Sequence, residues 1–343
     1  MKALVLEEYM KLVYKDVPEP VLQDDEVLIR VKAAGICGSD VHGLDGSTGR
    51  RLPPLIMGHE ASGIIEKTGG NVYFWKEGDR VTFDSTIYKK NDWYTQQGMY
   101  NLSDDRMVIG VSTPDFRRNG AFAEYVAVPQ HIVYPIPDNV SFTEAALTEP
   151  AAVGLHAINL SGFSGTDTVL VMGAGIIGAL IVRLLSLKGC KNIIAVDPDL
   201  SRLEMAWQAG ANYKFQPGDP ELLSTVHQLT DNRGADISFE AVGITDTIRN
   251  TITLTRKGGT IVLVGNISPE IQLPLQQVVT KQLKLQGSCA ISGEYPEILE
   301  LISQGKLSVA SILSAEAPLA EGPEWFQRLY QKEKGLMKVI LQP

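Results

Sequence analysis

The chain has 343 residues, of which 44% are hydrophobic and 21% charged, and its formal net charge is −9. That size and apolar share suit two globular domains with buried cores, while the acidic balance speaks against nucleic acid or an anionic membrane surface as a partner. Three cysteines are too few for a disulfide framework and fit a reducing compartment. The opening Met-Lys-Ala-Leu-Val-Leu-Glu-Glu fits no signal peptide, and the longest apolar run, Val169 to Val182, is broken by glycines and too short to span a bilayer. A cytoplasmic protein is expected.

Residues 1–35 carry short β-branched runs separated by turns, with Glu26 to Lys32 predicted as a strand. Ala61 to Lys67, Asp79 to Phe83 and Gly120 to Val128 read as further strands, punctuated by Pro53-Pro54 and Gly69-Gly70. This half is mostly β and barrel-like. Residues 84–118 are polar and irregular and read as a long surface lobe without an element of its own. The pattern changes after Pro150. Strands at Thr168–Met172, Asn192–Val196, Asp236–Glu240 and Gly259–Val264 alternate with helices at Ala179–Leu187 and Leu200–Ala209, which implies a doubly wound parallel sheet. A helix over Tyr295–Gln304 and a strand over Met337–Leu341 close the chain.

Gly173-Ala174-Gly175-Ile176-Ile177-Gly178 matches G-x-G-x-x-G, follows a predicted strand and opens a predicted helix, and Asp197 ends the next strand. In that context Gly173 serves the tight turn, Gly175 lets the backbone approach a pyrophosphate on the helix N-terminus, and Gly178 lets helix and strand lie close. A carboxylate at Asp197 accepts from a ribose 2′-hydroxyl and repels a 2′-phosphate, which favours NAD over NADP. A plain β-to-α turn with a surface aspartate is the competing explanation.

Residues 35–60 hold a second constellation. Gly35-Ile36-Cys37-Gly38-Ser39-Asp40-Val41-His42 and Gly58-His59-Glu60 bring a thiol, a hydroxyl, two imidazoles and carboxylates into one stretch. Cys37 and His59 are ligand types that hold zinc, and a catalytic zinc keeps three protein ligands and one open position. The third ligand is Glu60 or Glu149, the latter placed before Pro150 at the junction of the two halves. Ser39 and His42 can pass a proton. Taken singly, a buried packing cysteine, a turn histidine or a first-turn acid on a helix would explain each. His131 and His227 are expected to be solvated, His156 to pack rather than bind metal, and Cys190 and Cys289 to pack.

Together these residues, with Glu149-Pro150 and Val262-Leu263-Val264-Gly265, resemble the zinc-dependent medium-chain dehydrogenases, and among them the sorbitol (polyol) dehydrogenases. The resemblance covers essentially the whole chain. It implies an α/β protein with a GroES-like β-barrel catalytic domain over 1–152 and 291–343 and a Rossmann domain over 153–290. It implies one catalytic zinc per subunit near Cys37, His59 and Glu60, with Glu149 as ligand or as acceptor for the substrate. It also implies NAD contacts along Gly173–Gly178, at Ile176, Ile177, Asp197 and Arg202, and in the loop at Val264 and Gly265. A homo-oligomer, dimer or tetramer, belongs to the same expectation.

Three departures bear on the substrate. No cysteine occurs between Cys37 and Cys190, so the second zinc site of many relatives is absent. Gly43 replaces the aromatic that follows the relay histidine of sorbitol dehydrogenases, and Ala290-Ile291 replace their Arg-Tyr pair. The expected activity is therefore reversible oxidation of a secondary alcohol, a polyol or sugar-like molecule, through a pocket wider and less polar near Gly43, Ala290 and Ile291 unless Arg50, Arg51 or Ser292 reaches in. A phosphorylated polyol clamped by Arg50 and Arg51 is one alternative. A zinc-free quinone reductase and a non-catalytic dinucleotide sensor are others.

Overall fold

In a computed structural model, residues 1–113 and 116–343 are described, and they divide into two compact units, Met1–Glu149 with Ile291–Pro343, and Pro150–Ala290. Among them, no helix is long and apolar enough to cross a membrane.

The first unit is built on a seven-stranded sheet. Its path runs Val133–Pro135, Arg80–Phe83, Glu60–Thr68, Glu26–Gly35, Lys338–Gln342, Leu313–Pro318, with Tyr125–Pro129 also paired to Glu26–Gly35. A three-stranded sheet of Lys11–Asp16, Lys2–Glu8 and Leu55–Ile56 shares its apolar core, which includes Leu4, Leu6, Val27, Ile29, Phe83, Phe122 and Phe326. The C-terminal strand explains why this unit is split in sequence. Ile340 pairs with Gly35 and Leu341 with Ala34, so the end of the chain completes a sheet begun by its start. On the other side of the same strand Gly35 faces Glu60 and Ala34 faces Ala61. A Cβ on Gly35 would lie 2.3 Å from Glu60 Oε2, so glycine there leaves room for the Glu60 carboxylate over the strand.

The second unit is a six-stranded sheet, parallel throughout, in the order Tyr213–Phe215, Asn192–Val196, Thr168–Met172, Ala235–Glu240, Thr255–Leu263, Lys284–Gly287. Counted along the chain that order is 3-2-1-4-5-6, the doubly wound arrangement whose direction of growth reverses between the first and fourth strands. Those two are buried along almost their whole length, as a parallel sheet covered on both faces requires.

Two expectations need correction. The segment 84–118 is not featureless: it holds short strands at Thr86–Ile87 and Met107–Val108, a helical turn at Trp93–Gln96 and a 3-10 turn at Tyr100–Leu102, while Pro114 and Asp115 of that stretch lie outside the described residues. Nor is it wholly a surface feature, since Asp84, Ser85, Thr86, Asn101 and Ser103 are buried. The strand predicted from Gly120 begins only at Tyr125, because Gly120, Ala121 and Phe122 spend their amides on Ile56, Gly58 and Met57.

Candidate functional site

The dinucleotide fingerprint sits at the carboxyl edge of the parallel sheet. Gly173 follows the first strand with φ +95°, a conformation that favours glycine. A Cβ on Gly178 would lie 1.8 Å from the Gly173 carbonyl oxygen, so only glycine lets this helix, Ile176–Leu187, start so close to the turn. Gly175, the N-cap, differs: among the described residues nothing outside its own chain neighbours and helix backbone lies within 4 Å of its Cβ position, and no side chain caps the helix there. Asp197 follows the second strand and is buried; its Oδ2 accepts from the Ala174 amide at 2.8 Å and its Oδ1 from the Asp199 amide at 2.9 Å. Arg202 Nη1 lies 4.0 Å from Asp197 Oδ2. Ile176 and Ile177 are half-buried, as are Val264 and Gly265 in the loop after the fifth strand. Gly265 abuts the turn after the fourth strand, its Cβ position 2.2 Å from the Gly243 nitrogen.

The second constellation lies in the first unit. Cys37 caps the short helix Gly38–Gly43, its Sγ accepting from the Ser39 amide at 3.5 Å. His59 and Glu60 follow Gly58, whose φ of +97° and close approach to Phe122 turn the chain into the strand Glu60–Thr68. One donor atom each from Cys37, His59 and Glu60 falls within 4.8 Å of the others. Ser39 is exposed and His42 half-buried on the same helix.

The electrostatics of this pocket favour positive charge. Burial pulls the His59 ring down, but the Asp40 carboxylate and the Cys37 sulfur beside it outweigh burial and raise it well above its ordinary value. Glu149, buried in the first turn of the helix Thr148–Ser161, is pushed up to about 8 by burial, with His59 pulling it down and Glu60 pushing it further up. Glu149 stands outside the three-donor cluster. A thiol, an imidazole and a carboxylate converging in such a pocket form a donor set that suits zinc.

Three residues complete the surroundings that sequence reading left out or miscast. Lys338 Nζ donates to both Glu60 oxygens, at 2.8 and 2.6 Å, and to the Ile36 carbonyl at 3.1 Å. Asp40, fully buried, places Oδ1 3.5 Å from His59 Nδ1. It lies inside the motif itself, between Ser39 and His42, where its neighbours were the available signal. Arg51 is buried and donates through Nη2 and Nε to Asp40 Oδ1 at 2.8 and 3.3 Å. The alternative of a phosphate clamp by Arg50 and Arg51 is thus corrected at Arg51, which is committed to a carboxylate in the interior. The open space expected beside Gly43 is likewise occupied, since a Cβ there would fall 2.3 Å from Arg51 Cγ. Ser292 does not reach in, because its Oγ donates to the Gly98 carbonyl at 2.8 Å.

Among the described residues, the remaining histidines and cysteines are not part of the three-donor cluster. His131 is half-buried, edge-on to Tyr88 at 4.8 Å, and burial lowers its pKa, so the expected solvation fails there. His227 is also half-buried, on the helix Pro220–Leu229. His156 is buried. Burial pushes the Cys190 thiol up to about 11, and Cys289 is half-buried.

A parallel sheet in this order, with a glycine-rich turn at its switch point, and a β unit that gathers a zinc-type donor set define a dinucleotide-dependent oxidoreductase of two domains. Comparison with known proteins names the family. Residues 23–138 match the model for the alcohol dehydrogenase GroES-like domain and residues 177–304 that for zinc-binding dehydrogenase. The chain is 34% identical to D-xylulose reductase of Saccharomyces cerevisiae over 99% of its own length and 97% of that protein's. It is 30% identical to sorbitol dehydrogenase of Bacillus subtilis, covering 100% of this chain and 97% of the relative. The solved structure of the alcohol dehydrogenase TADH from Thermus sp. ATN1 superposes with a TM-score of 0.92 at 30% identity, covering 100% of this chain and 99% of that one. The chain belongs to the zinc-dependent medium-chain alcohol and polyol dehydrogenases, oxidoreductases acting on CH–OH groups with zinc and a nicotinamide dinucleotide.

Proposed function

We propose that this chain catalyses the reversible oxidation of a secondary hydroxyl on a polyol or sugar-like substrate, with NAD as hydride acceptor. The convergence of Cys37, His59 and Glu60 within 4.8 Å carries the reading, in a chain whose relatives include a D-xylulose reductase and a sorbitol dehydrogenase. In this reading those three side chains hold a single zinc, and Glu149 stands by as a further ligand or as an acceptor for the substrate. Zinc bound there supplies Lewis acidity that lowers the pKa of a hydroxyl oxygen. Ser39 accepts the hydroxyl proton and His42 carries it toward solvent. The Asp40 carboxylate faces the His59 ring at 3.5 Å, and Lys338 holds the Glu60 carboxylate. The unit Pro150–Ala290 binds the dinucleotide, with its pyrophosphate before Gly175 and its ribose at Asp197. The same reading makes the protein a cytoplasmic homo-oligomer whose three cysteines form no disulfide, with Cys37 a thiolate on the zinc.

The phosphorylated-polyol alternative loses ground because the Arg51 guanidinium is already paired with Asp40. Zinc-loaded protein assayed with NAD and NADP against polyols, polyol phosphates and simple secondary alcohols, beside metal analysis, is the test. Turnover of unphosphorylated polyols with one zinc per chain is expected. Turnover confined to phosphorylated substrates, or none at all, overturns the reading.

A further inference from the structure

We infer that Arg51 is a positioning residue that sets the direction in which the Ser39 hydroxyl passes its proton, an inference that rests on the function proposed above. The guanidinium is buried, and its Nη2 has two neighbours: Asp40 Oδ1 at 2.8 Å and Ser39 Oγ at 3.3 Å. Nη1 turns to the Arg50 carbonyl at 3.4 Å.

A guanidinium that served only to neutralise Asp40 would spread its fork over both carboxylate oxygens. Here Nε and Nη2 converge on Oδ1, while Oδ2 is buried with no hydrogen-bond partner among the described residues. The second N–H of Nη2 is instead directed at Ser39. The chain also makes room for this arrangement: Gly43 lacks the Cβ that would stand 2.3 Å from Arg51 Cγ.

The consequence for Ser39 follows from its inventory of one O–H and two lone pairs. Arginine has no acceptor, so the contact occupies one lone pair of Oγ, and the hydroxyl hydrogen must point elsewhere. One lone pair is left to accept the substrate proton. As that O–H bond forms at Oγ, the serine's original O–H bond breaks and its proton moves on toward His42. Proton count and charge at Ser39 are unchanged. Without Arg51 the hydroxyl turns freely and populates non-productive directions.

The experiment is a double-mutant cycle on kcat and KM, using R51K and G43A, each alone and combined with S39A. A lysine supplies a point charge that reaches Asp40 but not both acceptors. The G43A methyl displaces the Arg51 stem without removing its charge. Each single variant is expected to lower kcat on the order of ten-fold, with KM for the dinucleotide and zinc content by metal analysis unchanged, and to cost little more in the S39A background. Equal losses in both backgrounds, lost zinc, or a protein that no longer folds in both variants would make Arg51 a structural residue and overturn the inference. Absence of polyol turnover in the unsubstituted chain overturns the functional reading itself, and the two failures are told apart by that control.

Discussion

Lys338 and Glu60, 278 positions apart, form a buried ion pair at 2.6 Å in which each side chain is only 1% exposed. Attraction to Glu60 outweighs the burial that would otherwise pull the lysine down, and its pKa is raised. The pair ties the C-terminal strand to the strand that begins with a zinc-type donor, so one contact serves both the fold and the site.

Removing the lysine should therefore cost far more than a surface pair would. K338M leaves the Glu60 carboxylate buried and uncompensated, a loss of about 3–5 kcal/mol. Urea unfolding of the variant should show it, and added zinc should raise the midpoint more for K338M than for the native chain, since a bound cation replaces the missing charge. A midpoint within about 1 kcal/mol of native, the range of exposed ion pairs, would show that the pair contributes little.

C37A should abolish zinc retention and turnover while leaving NADH binding intact, because the glycine-rich turn belongs to the other compact unit. H42A should act more mildly, by about 10²-fold or less, since water substitutes in part for a solvent-facing proton carrier. Metal analysis and fluorescence titration with NADH separate the cases. Near-normal kcat in C37A would reduce Cys37 to a packing residue.

The parts of the fold legible in the sequence are those where one local signal suffices. Val169–Met172 and Ile193–Val196 are unbroken apolar runs closed by Gly173 and Asp197, and Leu200–Ala209 is amphipathic and ends before Gly210, whose φ is +116°. Such segments announce their own ends. The lobe 84–118 escaped because long-range side-chain bonds hold it: Tyr100 Oη donates to Asp84 at 2.7 Å and accepts from the Gly293 amide at 2.9 Å. Cys37, His59 and Glu60 were visible as residue types at close spacing. Lys338 was not, because nothing in an isolated strand lysine marks a partner 278 residues away. Arg51 was visible but misassigned, since sequence displays its charge and hides its burial.

Asp84 makes stability depend on pH in a calculable direction. Burial pushes its carboxyl up to about 6, against the pull of the Thr86 amide and the Tyr100 hydroxyl. The folded value lies above the unfolded one, near 3.9. The native state therefore holds a proton that the unfolded chain has lost over the window between them. Asp84's contribution is fully present below that lower value and fades as pH rises through about 6, a change of roughly 3 kcal/mol. D84N, neutral throughout, should flatten stability against pH between about 4 and 6. Parallel slopes for the two proteins across that window would refute the assignment.

Asp197 has two jobs that one substitution can separate. Its oxygens already accept from the Ala174 and Asp199 amides at 2.8 and 2.9 Å, so it braces the glycine-rich turn before any ligand arrives. A carboxylate also has about four acceptor positions, enough to take a ribose hydroxyl as well. D197A removes both functions. It leaves the buried Ala174 amide unpaired, a cost of about 1–3 kcal/mol. It also frees Arg202, now 4.0 Å away, to meet a 2′-phosphate. D197N keeps one of the two acceptor oxygens and loses the charge, so it should retain only part of the stability that D197A loses yet still erode the preference for NAD. The ratio of kcat/KM for NAD to that for NADP should fall at least ten-fold in both variants, on the order of 1.4 kcal/mol of discrimination. A ratio unchanged in D197N but lowered in D197A would assign the preference to the shape of the turn rather than to charge, and a ratio unchanged in both would mean that another residue reads the ribose.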